Sequence, residues 1–251
     1  MDQIIEGKKA KYLMYAAGEI ALIIAGILIA LQIDGWKEHR LNKEHEKYYV
    51  QRLLEDFEFN RNEAQRIIDF SDFQSSNAEL LIKSMSSELS AEEQVDWLYA
   101  LNHTWFLPHI SYDDDTWNEL KYTGKLELIT NKDLIAEINT FYSREARIKS
   151  LETEWGGFNL SYRELVNEVI DDELKVEILE GMGDTQIAHK IDRPVDVRSY
   201  IETLRDIPGI AGLVRDIQIN REVGRVHHEE LKASIDDIIL AIRNELDSPS
   251  S

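Results

Sequence analysis

From Leu13 to Ile33 the chain reads LMYAAGEIALIIAGILIALQI, twenty-one positions of which only Glu19 is charged. At helical rise this run is about 31 Å long, close to the thickness of a bilayer's hydrocarbon core. It is apolar on every side, so a helix here has no polar face to offer water, unlike the amphipathic helices of a soluble domain. Beyond Trp36 the pattern changes. Tyr49, Leu53, Phe57, Ala64, Ile67 and Ile68 recur at helical spacing with charged residues between them. Phe70, Phe73, Ala78, Leu81, Ile82 and Met85 carry the period past a Ser/Asp/Asn-rich stretch, and no proline occurs before Pro108. The chain is expected to leave the apolar run as a helical stalk.

Ser90 with Glu93 matches a capping box opening a short helix through Val95, Leu98 and Leu101. Residues 103–115, HTWFLPHISYDDD, have no helical period and break the pattern. Thr116 with Glu119 reads as a second capping box and Gly124 as a helix stop. Asn131 opens the next helix, with Leu134, Ile138, Phe141 and Tyr142 on one side. Its stripe extends through Leu151, Trp155 and Phe158 unless Gly156–Gly157 breaks it. Tyr162, Leu165, Val166 and Val169 form the following stripe, and residues 181–198 read as an irregular connection. Leu213, Ile217, Gly224, Leu231, Ile235, Ile238, Ile242 and Leu246 then fall at steps of three, four and seven, the seam of a long helix packed on another. Strand signals are nearly absent. The pattern predicts an all-α fold: residues 1–11 a short tail, 12–35 a transmembrane anchor continuing into a stalk, and 36–251 an antiparallel helical bundle.

A secretory signal has a shorter apolar core and a small-x-small cleavage site. The run here instead continues into LQIDGWKEHR, which indicates an uncleaved signal anchor. Lys8, Lys9 and Lys11 precede it, and Lys37, Arg40, Lys43 and Lys47 follow, so flanking basic charge nearly balances. The short N-terminal tail favours the N-terminus inside and the body outside. Tyr12, Tyr15 and Trp36 lie where interfacial aromatics belong. Glu19 is the anomaly, since a charge at mid-bilayer costs about 2.5–3.5 kcal/mol on insertion scales. Either it snorkels towards the Lys11 side, or it faces another helix. Gly18, Ala21, Ala25 and Gly26, with Ala17, are small enough for a second helix to approach closely. These residues and Glu19 are the candidate packing and polar-contact surface for a homo-oligomer or a partner membrane protein.

Charge narrows the partners. The net charge is −20, and residues 1–40 hold five basic and five acidic residues, so all of it resides on residues 41–251. Such a body is repelled by nucleic acid and anionic lipid surfaces. The absence of cysteine excludes disulfides, thiolate metal sites and cysteine nucleophiles.

The stretch KYLMYAAGEIALIIAGILIALQIDGWKEHR resembles the N-terminal anchor of a family of single-pass membrane proteins from Bacteroidota, a domain of unknown function whose pattern reads KYLxYAxGEIxLxxxGILIALQI. SYDDDTWNELKYTGKLELITNKDLIAEINTFY resembles that family's middle motif, and the C-terminal seam helix is also similar. The resemblance covers most of the chain and is most specific in the anchor. Asp34–Gly35 replaces the usual Asn pair, and Thr123 stands where Ser is common. The resemblance implies a bacterial envelope protein of the inner membrane, with the Gly18–Glu19 pair part of the family's pattern, and no established activity.

Motifs that carry chemistry fail on inspection. His45–Glu46 and His228–Glu229 begin a zinc-protease pattern, but Tyr49 and Lys232 stand where the second histidine belongs. Asp113–Asp114–Asp115 beside His109 lacks calcium-loop spacing and reads as helix caps. His227–His228 reads as a solvated or seam pair. Trp105, Phe106, Tyr112 and Trp117 either plug one end of the bundle or line a ligand pocket or docking patch. No serine-nucleophile elbow, phosphate loop or dinucleotide fingerprint appears. The expectation is a non-enzymatic envelope scaffold or protein-interaction module with a periplasmic body and no cofactor. The alternatives are a ligand-sensing bundle, or an accessory subunit of a proton-linked membrane complex using Glu19.

Overall fold

The computed structural model describes residues 2–107, 109–180, 191 and 193–247, and for residues 2–17, 21, 179 and 180 the backbone alone. Seven α-helices and one 3₁₀ turn occur among them, and no strand. They are α1 (Asp2–Ser86), α2 (Ala91–His103), α3 (Asp115–Tyr122), the 3₁₀ turn Lys125–Leu128, α4 (Lys132–Val166), α5 (Asp172–Glu180), α6 (Val197–Arg205) and α7 (Ile210–Asp247). The all-α expectation holds.

α1 runs 85 residues without interruption. Its Ser/Asp/Asn-rich stretch stays helical, with the Ser71 and Ser76 hydroxyls bonded back to the Ile67 and Asp72 carbonyls at 2.9 and 3.0 Å. Every Leu and Ile from Ile20 to Ile33 is 52–76 % exposed. From Tyr49 onwards the same helix is the spine of the bundle.

Four columns build that bundle. α1 climbs away from the apolar run. α2 descends beside it, with Trp97 Nε1 donating to Ser84 Oγ at 2.9 Å. Residues 104–114 and then α3 continue the descent, and Thr116 N–H donates to Asp56 Oδ2 at 3.1 Å. α4 climbs again, starting where Thr130 meets Glu46 and ending where Tyr162 meets Leu101. α5 and α6 cover the far end. α7 descends in contact with both α1 and α4, and near its end Arg243 reaches Glu58 at 2.7 Å. The second column is thus a helix broken in its middle, and buried polar groups including Asn60, Gln74, His103, Asn159, Arg221 and His228 gather around that break.

Two apolar clusters lie along the columns. Tyr49, Leu53 and Phe57 pack with Trp117, Phe141 and Ile238 in the half nearer the apolar run. Ala78 and Leu81 pack with Trp97, Leu101, Tyr162, Leu204 and Ile217 in the far half. The seam of α7 contributes Ile217 to the far cluster and Leu231, Ile235, Ile238 and Ile242 to the near one.

Local signals are realised at several helix ends. Ser90 Oγ accepts from Glu93 N–H at 3.2 Å while Glu93 accepts from Ser90 N–H at 2.9 Å. Asn131 Oδ1 accepts from Leu134 N–H at 3.0 Å. Gly124 takes φ +71°, which a residue with a side chain resists, and so ends α3 and starts the 3₁₀ turn. Three expectations are corrected. Thr116 does not cap α3: the cap position is Asp114, and Thr116 lies inside the helix, buried against α1. The stripe of Tyr162, Leu165 and Val166 belongs to α4 itself, which runs through Gly156–Gly157 unbroken, while Val169 lies beyond its end. Val95, Phe158 and Leu165 face solvent rather than the core. Of the expected 181–198 connection, residues 181–190 and 192 lie outside the described residues, and Val197–Arg198 already belong to α6.

Candidate functional site

A helix end leaves carbonyls without donors, and an irregular segment leaves more; inside a bundle water cannot serve them all. The break at 104–114 therefore draws polar side chains into the core from every other column. From α1, Asn60 donates to the Asp113 carbonyl at 2.9 Å and accepts its N–H at 2.6 Å, and Arg66 reaches the His109 carbonyl. Gln74 Nε2 donates to the His103 carbonyl at 2.6 Å. From α4, Tyr142 donates to the Asp113 carbonyl at 2.7 Å, Asn159 to the Trp105 carbonyl at 3.0 Å and Tyr162 to the Leu101 carbonyl at 2.9 Å. From α7, Arg221 Nη2 donates to the Phe106 carbonyl and Nε to Gln74 Oε1, both at 3.2 Å.

Arg221 is the most costly member. It is 7 % exposed, and among the described residues no carboxylate oxygen lies within 4.0 Å of its guanidinium. Burial pushes its pKa down to about 10, against a weaker opposing pull from the Glu152 charge. The negative C-terminal end of α2 offsets part of the cost.

Two turns further along the seam, His228 is 1 % exposed. Its Nε2 lies 2.9 Å from Glu152 Oε1 and its Nδ1 2.8 Å from Tyr112 Oη. A carboxylate at Glu152 accepts from Nε2–H, which leaves Nδ1 to accept from the Tyr112 O–H. Gly224 makes room: a Cβ there would stand 3.4 Å from Glu152 Oε1. Carboxylate, imidazole and hydroxyl in line is the order of a nucleophilic relay. Here the hydroxyl is a phenol held far above its usual pKa by burial, reinforced by the Glu152 and Glu63 charges. The space around Tyr112, Glu145 and Ile148 admits no water-sized molecule. The arrangement therefore clamps the 104–114 segment to α4 and α7 rather than presenting a nucleophile. Glu152 Oε2, buried beside it, has no hydrogen-bond partner among the described residues.

On the outer side of this layer lies a cavity of about 710 Å³, within the usual range for small-molecule sites. Leu107 and Ile110 from the break, Leu160 and Gly156–Gly157 from α4, and Arg221 from α7 form most of its wall, with Glu152 at the edge of the polar layer. A second, smaller space of about 130 Å³ lies between Trp105, Arg163 and Lys175 and is too small for more than a few waters.

The four aromatic residues singled out from sequence do not share one site, and they lie in the middle of the bundle rather than at an end. Trp105 and Phe106 stack at 4.2 Å beside the far cluster, with the Arg163 guanidinium 4.6 Å from the Trp105 ring. Tyr112 and Trp117 belong to the near cluster, against Phe141 at 5.9 Å and Tyr142 at 6.0 Å respectively. Gly18, Glu19, Ala25 and Gly26 are exposed, and the Ala21 side chain lies outside the described residues, as do those of Ala17, Tyr12, Tyr15 and Lys8, Lys9 and Lys11. Among the described residues no group of His, Asp and Glu is placed to hold a metal ion. Asp113 Oδ1 accepts the Asp115 N–H at 3.0 Å from the position before the cap, and the cap residue Asp114 makes no side-chain capping bond. His228 is a seam residue, one of the two readings of the pair. Glu152 and Arg221 were not singled out from sequence. Arg221 carried a visible signal, since it falls four residues after Ile217 on the apolar seam, where a charge must find a reason to be.

No protein-family model, no curated protein and no solved structure matches this chain.

Proposed function

We propose that the protein is a single-pass membrane protein whose acidic helical bundle is a non-enzymatic binding or scaffold module. The observation that carries this reading is α1 itself: a stretch of mean hydropathy 1.8 with none of its surface buried, continuous with the central helix of the bundle. Nine large aliphatic side chains between Ile20 and Ile33 left in water forgo on the order of ten to twenty kcal/mol. A bilayer recovers it. The resemblance to the Bacteroidota anchor family supports an inner-membrane location, and a periplasmic body is the proposed orientation. The charge of −20 disfavours nucleic acid as a partner. The protein is expected to sediment with membranes after detergent-free lysis and to resist alkaline extraction, and alkaline phosphatase fused after Ser251 is expected to be active. Recovery in the aqueous fraction would overturn the anchor, and an inactive phosphatase with a fluorescent cytoplasmic reporter would reverse the orientation.

Within the bilayer, Glu19 flanked by Gly18, Ala21, Ala25 and Gly26 is the proposed contact with a second copy or a partner membrane helix. Glu19→Leu is expected to leave insertion intact and to reduce cross-linked oligomer or co-purified partner several-fold. Unchanged cross-linking and co-purification would assign Glu19 to snorkelling and remove support for a proton-linked role.

A ligand-sensing bundle is the second reading, favoured by the cavity at the broken column.

A further inference from the structure

The break in the second column costs the protein a great deal of buried polarity, and a continuous helix from Ala91 to Tyr122 would have avoided it. What the break creates is the cavity, and the cavity has a particular chemistry. Leu107, Ile110 and Leu160 give it a hydrocarbon wall. Arg221, nine-tenths buried, lends it a guanidinium with only two of its five N–H groups engaged and no carboxylate within 4.0 Å among the described residues. Glu152 adds a carboxylate whose Oε1 meets His228 and whose Oε2 is buried with no hydrogen-bond partner among the described residues. Lys149 and Glu154 add one more charge of each sign to the lining, and Arg221 and Glu152 share the space without pairing. Neither a simple anion nor a simple cation suits it, because each meets one attractive and one repulsive charge at low dielectric.

We infer that this cavity binds a small zwitterion with a hydrocarbon side chain, an apolar α-amino acid or a dipeptide of such residues. The ligand's carboxylate pairs with the free edge of Arg221, its ammonium lies on the Glu152 side, and its side chain covers Leu107, Ile110 and Leu160. The pairing is of the planar, two-pronged kind that guanidinium makes and ammonium does not. Gly156 and Gly157 keep the α4 wall low: a Cβ on Gly157 would meet nothing within 4 Å, and one on Gly156 would stand 3.5 Å from Leu107. Because Leu107 and Ile110 belong to the broken segment and Arg221 to α7, the ligand bridges the second column to the helix packed along α1. The inference rests on the sensing reading and is independent of the membrane reading.

The test is isothermal titration of the full chain in detergent micelles with L-leucine, L-phenylalanine and L-leucyl-L-leucine, against 4-methylpentanoate, which lacks the ammonium, and isopentylamine, which lacks the carboxylate. At least one zwitterion is expected to bind, and both single-charge analogues to bind at least tenfold more weakly. Arg221→Met is expected to weaken zwitterion binding at least tenfold. Should that variant lose its fold, Gly157→Phe tests the same space: the site is open, phenylalanine is a better helix former than glycine, and the ring would occupy the cavity and abolish binding. No binding by any zwitterion at millimolar concentration, 4-methylpentanoate binding as tightly as leucine, or a folded Gly157→Phe variant binding normally would each overturn the proposal. None of these outcomes bears on membrane fractionation, so the two readings fail separately.

Discussion

Phe57→Ala is expected to lower the unfolding free energy by about 3–5 kcal/mol, most of what an ordinary domain has to lose. Phe57 is fully buried, meets Phe141 edge-on at 5.2 Å and Tyr142 at 5.9 Å, and sits where three columns converge. Its removal leaves a cavity that the neighbouring helices, tied by the Asn60 and Tyr142 bonds to Asp113, cannot close. Phe59, two residues along the same helix and 52 % exposed, is the control: Phe59→Ala is expected to stay within about 0.5 kcal/mol. Urea denaturation of the full chain in micelles, followed by ellipticity, measures both. Equal effects would mean that α1 is rotated from the orientation described.

The second large effect is alkaline. Tyr112, Tyr142 and Tyr162 are held neutral far above the ordinary phenol range, first of all by burial. Above about pH 10 the unfolded chain releases those three protons and the folded chain keeps them, so stability, intact below that pH, falls by about 1.4 kcal/mol per pH unit for each tyrosine. Arg221 acts in the opposite sense. Its folded pKa of about 10 lies below its ordinary 12.5, so between those values the fold sheds a proton that the unfolded chain retains. The three phenols outweigh the single guanidinium, so stability falls steeply, by roughly 3 kcal/mol per unit, as pH rises past the ordinary phenol range. Phenolate absorbance is expected to rise in two stages, an early one for exposed tyrosines and a later, cooperative one coincident with loss of helix. In Tyr162→Phe the later stage should shift to higher pH. A single smooth titration with helix content unchanged would contradict the buried phenols.

Where the chain specifies structure through near neighbours, the sequence is readable. The Ser90–Glu93 box, the Asn131 cap, the Gly124 stop and the spacing of Ile217 to Ile242 each act within a turn or two. Thr116 misled because a threonine three residues before a glutamate matches the local motif, while burial against Asp56, sixty residues earlier, decides its place. Gly156–Gly157 looked like a break because glycine favours one in isolation; packing against Leu107 and the flanking seam keeps α4 whole. The polar layer was hidden for a stronger reason. His228 finds Glu152 and Tyr112 at separations of 76 and 116 residues, and Arg221 finds Gln74 at 147. Periodicity shows that a charge sits on an apolar seam, but not which carbonyl or carboxylate awaits it. The four aromatics shared a stretch of sequence without sharing a neighbourhood, since Trp105 and Phe106 follow α2 beside the far cluster while Tyr112 and Trp117 lie with α3 in the near one.

Consider, finally, a rod with no hinge. From Trp36 to Ser86 the helix rises about 75 Å at ~1.5 Å per residue, and the residues that would grip lipid and those that grip the core share one axis. A twist or tilt imposed at the lower end is passed along one unbroken helix to Tyr49, Phe57 and Gln74, and a load on the upper end returns the same way. A flexible tether would have uncoupled the two. In this protein, moving the foot means turning the mast.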